Sequence, residues 1–186
     1  MNREDAIKMT LEVIKEKKLE NSSIGEIVKK MDISPGNLYY HFKSKNELYK
    51  EVLKYSINEI ADSLDKVKLD INKKNNLFQL TEKLIRFLEK REDILFFLIT
   101  MKGSSYLEKK SNSRDLLLNF KNMLVNQDLN TEHEKRIALK LNMFLGSVYE
   151  VLYENKLLKK RNLTSAEINE IYLSFWGNEG KEDNGI

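Results

Sequence analysis

Residues 22–48 read SSIGEIVKKMDISPGNLYYHFKSKNEL. Ser23 and Glu26, and again Ser44 and Glu47, have the spacing of a capping box, in which a hydroxyl and a carboxylate satisfy each other's backbone N–H at a helix start. Between them Ser34 precedes Pro35. Proline is favoured at the first helical position because the N–H it lacks would have no partner there. The stretch therefore predicts a helix opening at Ser23, a turn at Asp32-Ile33-Ser34, a very short helix from Pro35, and a further helix from Ser44 to about Leu64. Ile24, Ile27, Val28 and Met31 form the inner face of the first of these. Asp32 suits the turn because a short polar side chain tolerates the left-handed conformation.

On a helical wheel of 100° per residue, Leu38 and Phe42 share one side of the short helix, facing the core beside Ile33. Gly36 and Tyr40 fall directly opposite, Asn37 close by, and Tyr39 and His41 on the flanks. So short a helix has little stability of its own and depends on its two apolar anchors. Its other face is free for recognition. Gly36 lets the backbone come close to a base edge or phosphate. Asn37 bonds to either, and Tyr39, Tyr40 and His41 donate to phosphate oxygens. Tyr40 also stacks on thymine methyls. Lys45, in the first turn of the next helix, opposes the helix dipole, which makes sense if a phosphate sits over that end. Paired tyrosines commonly serve packing. Here the conjunction of inward anchors, an outward glycine and polar groups, and capped flanking helices points instead to a helix set in the major groove of DNA.

The rest of the chain is consistent with an all-α support for this element. Its 186 residues are 41% apolar and 33% charged, with one proline and seven glycines, so few helix breakers interrupt it. There is no cysteine, hence no disulfide and no thiolate metal site. The first ten residues lack the apolar stretch of a signal peptide, and the longest apolar run, Ile94 to Ile99, is too short to span a bilayer. A cytoplasmic protein without membrane contact is expected. The net charge of +3 does not identify a nucleic-acid binder. The six lysines from Lys29 to Lys54, against Asp32, Glu47 and Glu51, are a modest local excess.

Asn2 caps a first helix carrying Ile7, Leu11 and Ile14. Further helices are expected over Leu77–Lys90, over the apolar run Ile94–Met101, and over Leu116–Val125. Two more open with capping boxes at Thr131–Glu134 and Thr164–Glu167 and run to about Leu158 and Trp176. Residues 103–113 read as a loop, and the tail from Gly177 as frayed. The total is about nine helices. Enzyme chemistry finds no support: the only histidines are His41 and His133, no nucleophile or phosphate-loop motif occurs, and no Glu-x-x-His pair supplies metal ligands. No catalytic residue, metal or cofactor is expected.

Residues 33–45, ISPGNLYYHFKSK, ending at Leu48, resemble the signature of the TetR (tetracycline repressor) family of bacterial transcription regulators. The resemblance covers residues 6–52, and GEIVKK followed by GNLYYHFK is most similar to the multidrug-binding repressors of that family. Val28 and Met31 stand where the family often has alanine, and Asp32 where it often has glycine. The resemblance implies a helix-turn-helix DNA-binding domain over residues 1–46 and an effector-binding and dimerisation domain over 47–186. Ser23, Ser34, Tyr39, His41 and Lys45 would bind phosphates, and Gly36, Asn37 and Tyr40 would enter the groove of a double-stranded operator.

The family's last two helices pair across a homodimer. Ile137, Leu141, Phe144, Val148 and Leu152 form one apolar stripe, and Ala138, Leu145, Gly146 and Tyr149 a second strip. A helix apolar on two sides needs two partners. Ile168, Ile171, Tyr172 and Phe175 repeat the pattern in the last helix. A small-molecule effector, apolar or amphipathic, would enter a cavity lined by Phe87, Phe97, Met101, Phe120, Met123 and Phe144, with Phe96 and Met143 as further candidates. The expected function is a ligand-responsive transcriptional regulator acting as a repressor on a palindromic operator. The alternative is a helical ligand-binding or protein-interaction module that does not touch DNA.

Overall fold

The computed structural model describes residues 2–71, 73–102, 117–124 and 131–178. Among these residues all regular structure is helical: α1 (Arg3–Lys17), a 3₁₀ turn (Leu19–Asn21), α2 (Ile24–Lys30), α3 (Pro35–His41), α4 (Lys45–Leu64), α5 (Lys73–Lys90), α6 (Glu92–Met101), α7 (Leu118–Leu124), α8 (Thr131–Leu152), a π-helical turn (Tyr153–Leu158) and α9 (Ser165–Trp176). Packing groups them into two compact units, Met1–Glu59 with Arg91–Arg114, and Ile60–Lys90 with Asp115–Ile186. These are units of packing. The sequence places a boundary after residue 46, whereas the first packing unit continues through α4 to Glu59.

In the first unit Asn2 caps α1. Its Oδ1 accepts from the Asp5 N–H at 2.8 Å while the Asp5 carboxylate accepts from the Asn2 N–H at 3.2 Å, a full capping box. Ala6, Ile7, Leu11, Val13 and Ile14 of α1 are buried, and α6 packs along this helix with Ile94, Leu95, Phe97, Leu98 and Met101 buried. The apolar run thus forms the expected helix. It is preceded by Arg91, which forks onto Asp93 at 2.9 and 2.8 Å and reaches Glu59 of α4 at 2.9 Å. The Tyr49 hydroxyl of α4 is buried against Ser22, 2.5 Å from its Oγ and 2.9 Å from the carbonyl it donates to, tying α4 to the segment before α2.

In the second unit α5 buries Leu77, Leu80, Leu84, Ile85 and Leu88. Glu89, also buried, accepts from the Leu163 N–H at 2.5 Å and from Arg86 Nη1 at 2.8 Å. Arg86 Nη1 in turn reaches the Leu163 carbonyl at 2.8 Å, so this ion pair clamps the connection between α8 and α9 onto α5. A buried carboxylate is tolerable only when paired in this way. Phe120 of α7, Phe144 of α8 and Trp176 of α9 form an aromatic cluster with centroid separations of 5.0–5.9 Å, and Phe175 lies 5.4 Å from Phe144. The Thr164–Glu167 capping box is complete.

Several boundaries depart from expectation. α5 begins at Lys73, four residues before the apolar pattern, because Asn76 is buried and its amide exchanges two 2.8 Å hydrogen bonds with the backbone of Asp70. α8 proper stops at Leu152 and continues as a π turn. The boxes at Ser23 and Ser44 are half-formed. Each serine accepts from the N–H three residues on, at 3.1 Å, but Glu47 accepts from Lys43 N–H and Glu26 lies 3.9 Å from Lys17. Of the expected helix 116–125, Leu118–Leu124 is helical and Leu117 is a turn, while residues 116 and 125 lie outside the described residues. The expected loop at 103–113 lies outside the described residues, as does the tail from residue 179.

Candidate nucleic-acid interface

α3 owes its position to four local decisions. Ser34 Oγ caps it, accepting from the Asn37 N–H at 3.3 Å, with Pro35 at its first position. Asp32 takes φ 53°, the left-handed conformation that turns the chain out of α2. Leu38 and Phe42 are both buried to within 1%. Arg3 braces the far end: its guanidinium donates to the His41 carbonyl at 2.9 Å and lies 4.6 Å over the Phe42 ring. The carboxylates of Glu47 and Glu51 flank that guanidinium at 3.6 Å each. Sequence inspection does not find Arg3, because its partners lie 38 or more positions away.

The opposite face is open. Tyr40 is 86% exposed and Tyr39 49%; Ser23, Ser34, Gly36 and Asn37 are exposed, and His41 and Lys45 half-buried. The Tyr40 and His41 rings meet edge-on at 5.2 Å, which orders that corner of the face. A Cβ added to Gly36 would meet only Ser34 Oγ, at 3.9 Å, an ordinary contact. Among the described residues nothing requires glycine there, and the missing side chain leaves the backbone open to close approach. Ser23 and Ser34 spend their oxygen lone pairs on caps, which leaves each hydroxyl hydrogen able to donate. Lys45 Nζ sits 5.1 Å over the Tyr49 ring, and partial burial pulls its pKa down. This ring contact supplies a second reason for a lysine at that helix start. α3 has no acidic residue in its first turn.

The residues expected to line an effector cavity are divided between the two packing units. Phe97 and Met101 are buried in the first unit, whereas Phe120 and Phe144 are buried in the aromatic cluster of the second. Phe87 and Met123, also in the second unit, are half-buried, as is Phe96 in the first, and Met143 is 59% exposed. The Trp176 indole N–H, inside the cluster, is buried without an acceptor among the described residues.

The expected dimer residues also divide. Tyr149, Ile168 and Tyr172 are buried within the single chain, and burial raises the Tyr149 hydroxyl well above its ordinary pKa. Leu145, Gly146, Ile171 and Phe175 are half-buried, and Ala138 is exposed. The large apolar side chains that α8 and α9 leave open are Leu139, Met143 and Leu173. Gly146, three residues beyond Met143, has no atom within 4 Å of an added Cβ. A two-stripe wheel assigns Ile168 and Tyr172 outward because it cannot see α5, against which α9 packs; the Tyr172 ring meets Phe78 of α5 at 5.4 Å.

Among the described residues no group of three or more His, Asp or Glu could hold a metal ion, and no helix is long and apolar enough to cross a membrane.

A capped short helix with two buried anchors and a polar outer face, following a tight turn from α2, is a helix-turn-helix module. Residues 6–52 match the family described as bacterial regulatory proteins, tetR family. The HTH-type transcriptional regulator QacR of Staphylococcus aureus strain Mu50 is 47% identical over 57 residues, a segment that is 28% of this chain and 29% of that protein. Two solved structures are similar over nearly the whole chain. A tetR family transcription regulator from Shewanella sp. PV-4 has a TM-score of 0.73 at 15% identity, covering 95% of this chain and 97% of that one. The transcriptional regulator FadR from Bacillus subtilis, solved with stearoyl-CoA, has a TM-score of 0.69 at 18% identity, covering 95% and 99%. At these identities the structural likeness shows the fold. Over residues 6–52 the chain is thus similar to the tetR family of bacterial regulatory proteins, and over nearly its whole length it shares the fold of solved tetR family transcription regulators.

Proposed function

We propose that the chain binds a palindromic DNA operator as a homodimer and is released from it by a small apolar or amphipathic effector. The observation that carries this is the partition of α3. Leu38 and Phe42 are sealed in the core, while Gly36, Asn37 and the 86%-exposed Tyr40 project from the other side. In this proposal residues 1–46 are the DNA-binding domain. Gly36, Asn37 and Tyr40 enter the major groove; Ser23, Ser34, Tyr39, His41 and Lys45 hold phosphates. Each protomer reads one half-site, so the operator repeats with two-fold symmetry.

Residues 47–186 carry dimerisation and effector binding. Leu139, Met143 and Gly146 on α8 with Leu173 on α9, joined by half-buried Leu145, Ile171 and Phe175, supply the self-complementary face that a two-fold dimer needs. Its apolar side chains and open glycine favour a partner helix over water. The effector meets the aromatic cluster of Phe120, Phe144 and Trp176, and the Trp176 indole N–H, without an acceptor among the described residues, is the polar handle that would orient it. The stearoyl-CoA bound to FadR supports a ligand with a large apolar part. α4, which belongs to the first unit through Glu59 and to the second from Ile60, couples the two. The effector acts by binding more tightly to the state whose recognition helices are spaced wrongly for the operator.

Selection of bound sequences from a random duplex pool tests the proposal. A recovered motif with a centre of symmetry is expected. Its affinity should fall linearly on a log–log plot against salt, as counterions are released from the contacted phosphates. Recovery of no motif, or affinity indifferent to salt, would refute DNA recognition by α3.

A further inference from the structure

The second unit holds an open cleft of about 470 Å³ whose lining includes Lys66, Lys68, Gln79, Glu82, Lys83 and Arg86. That volume lies in the range of small-molecule sites, roughly 300–1,000 Å³. Four cations and one carboxylate, Glu82, line it, and Arg86 is also paired with Glu89 behind the cleft. Among the described residues, Lys66, Lys68 and Lys83 have no ion-pair partner. A concave surface with uncompensated charge of one sign concentrates ligands of the other.

Arg86 makes this more than a run of surface lysines. Its two hydrogen bonds among the described residues leave from one nitrogen, Nη1, to buried Glu89 at 2.8 Å and to the Leu163 carbonyl at 2.8 Å. Glu89 is itself held by the Leu163 N–H. The guanidinium is therefore fixed from one side by the clamp between α5 and the α8–α9 connection. Its Nε and Nη2 hydrogens have no acceptor among the described residues. A guanidinium has five donors in a rigid fork that matches the oxygens of a phosphate. Here part of that fork is already spent on holding the rest in place, which lowers the cost of ordering it around a ligand.

We propose that this cleft is an anion site that takes the phosphate or diphosphate group of a small soluble molecule, with Arg86 as its fixed anchor and Lys66, Lys68 and Lys83 as mobile charges closing over it. The same chemistry on a lipid headgroup is the competing source, because Leu69 and Ile71, which follow Lys68, are exposed apolar side chains. The concavity and the anchored guanidinium favour the small molecule.

Isothermal titration of the full chain with pyrophosphate, with sulfate at matched ionic strength as the control anion, tests this. One saturable site per chain is expected, binding pyrophosphate at least ~10-fold more tightly than sulfate. The double substitution Lys68→Gln with Lys83→Gln breaks no ion pair among the described residues; it is expected to weaken that binding by about 10- to 100-fold at unchanged Tm. Equal binding of the two anions, or binding unaffected by the double substitution, overturns the proposal. Sedimentation with phosphatidylglycerol vesicles in the absence of pyrophosphate binding also overturns it, in favour of a lipid surface. A double variant that loses affinity for duplex DNA in step with pyrophosphate overturns it too, by making the cleft a contact for the DNA backbone.

Discussion

Helices α3 and α8 are built alike and disclose their roles differently. Each buries one stripe, Leu38 and Phe42 in α3 and Ile137, Leu141, Phe144, Val148 and Leu152 in α8, and each leaves another stripe open. On α3 the open stripe is Gly36, Asn37 and Tyr40, with exposed Tyr39 and half-buried His41 on its flanks. On α8 it includes Leu139 and Met143, 62% and 59% exposed, whose chemistry resembles that of the buried stripe. A polar outer face contrasts with the core, so it is legible from the wheel alone. An apolar outer face does not contrast, and only the observed packing separates it from the core.

The sharpest way to break this comparison is within α3. Phe42→Ala removes a fully buried ring that Arg3 also covers, and is expected to cost about 3–5 kcal/mol in urea denaturation. If Tyr40→Ala costs as much, Tyr40 belongs to the core and the two-sided view of α3 fails. On α8 the combined change Leu139→Glu and Met143→Glu should convert dimer to monomer at micromolar concentration in sedimentation equilibrium. Far-UV circular dichroism should be unchanged; buried charge at the centre of an interface typically costs about 2 kcal/mol or more per site. A dimer that survives both substitutions moves the interface elsewhere.

Tyr40→Ala itself should weaken operator binding by roughly 10- to 100-fold in gel-shift titration, with stability within about 0.5 kcal/mol of the parent. Ser34→Ala removes the α3 cap and should cost about 1 kcal/mol, with operator affinity falling further than that loss explains if its hydroxyl also donates to a phosphate.

The smallest effect expected is electrostatic and lies in the second unit. The Arg161 guanidinium, together with the Thr164 backbone and hydroxyl, holds the Glu167 carboxyl at about 2, below its ordinary 4.5. A carboxylate lowered on folding stabilises the fold fully above its unfolded pKa, and that contribution fades as pH falls through the folded value. The Tm difference between the parent and Glu167→Gln should therefore be constant above about pH 5 and shrink towards pH 2. A difference that grows on acidification would reverse the assignment.

Much of the molecule was legible before its fold was known. Asn2, Ser34 and Thr164 cap helices as their spacing requires, Asp32 takes the left-handed turn, and the apolar run from Ile94 is a buried helix. Caps, turns and helical stripes are set by interactions within four residues, which a linear sequence displays directly. What remained hidden depends on partners far along the chain. Arg3 braces α3 across 38 positions, and Glu89 with Arg86 secures Leu163 across more than 70. The aromatic candidates part between two units, and Ile168 and Tyr172 turn inward onto α5. Sequence alone determined which residues cap, turn and alternate, because those choices are local free energies. Tertiary structure decided which of two apolar stripes becomes core and which donors of an arginine stay unspent, because burial is a property of neighbours that the chain order does not record.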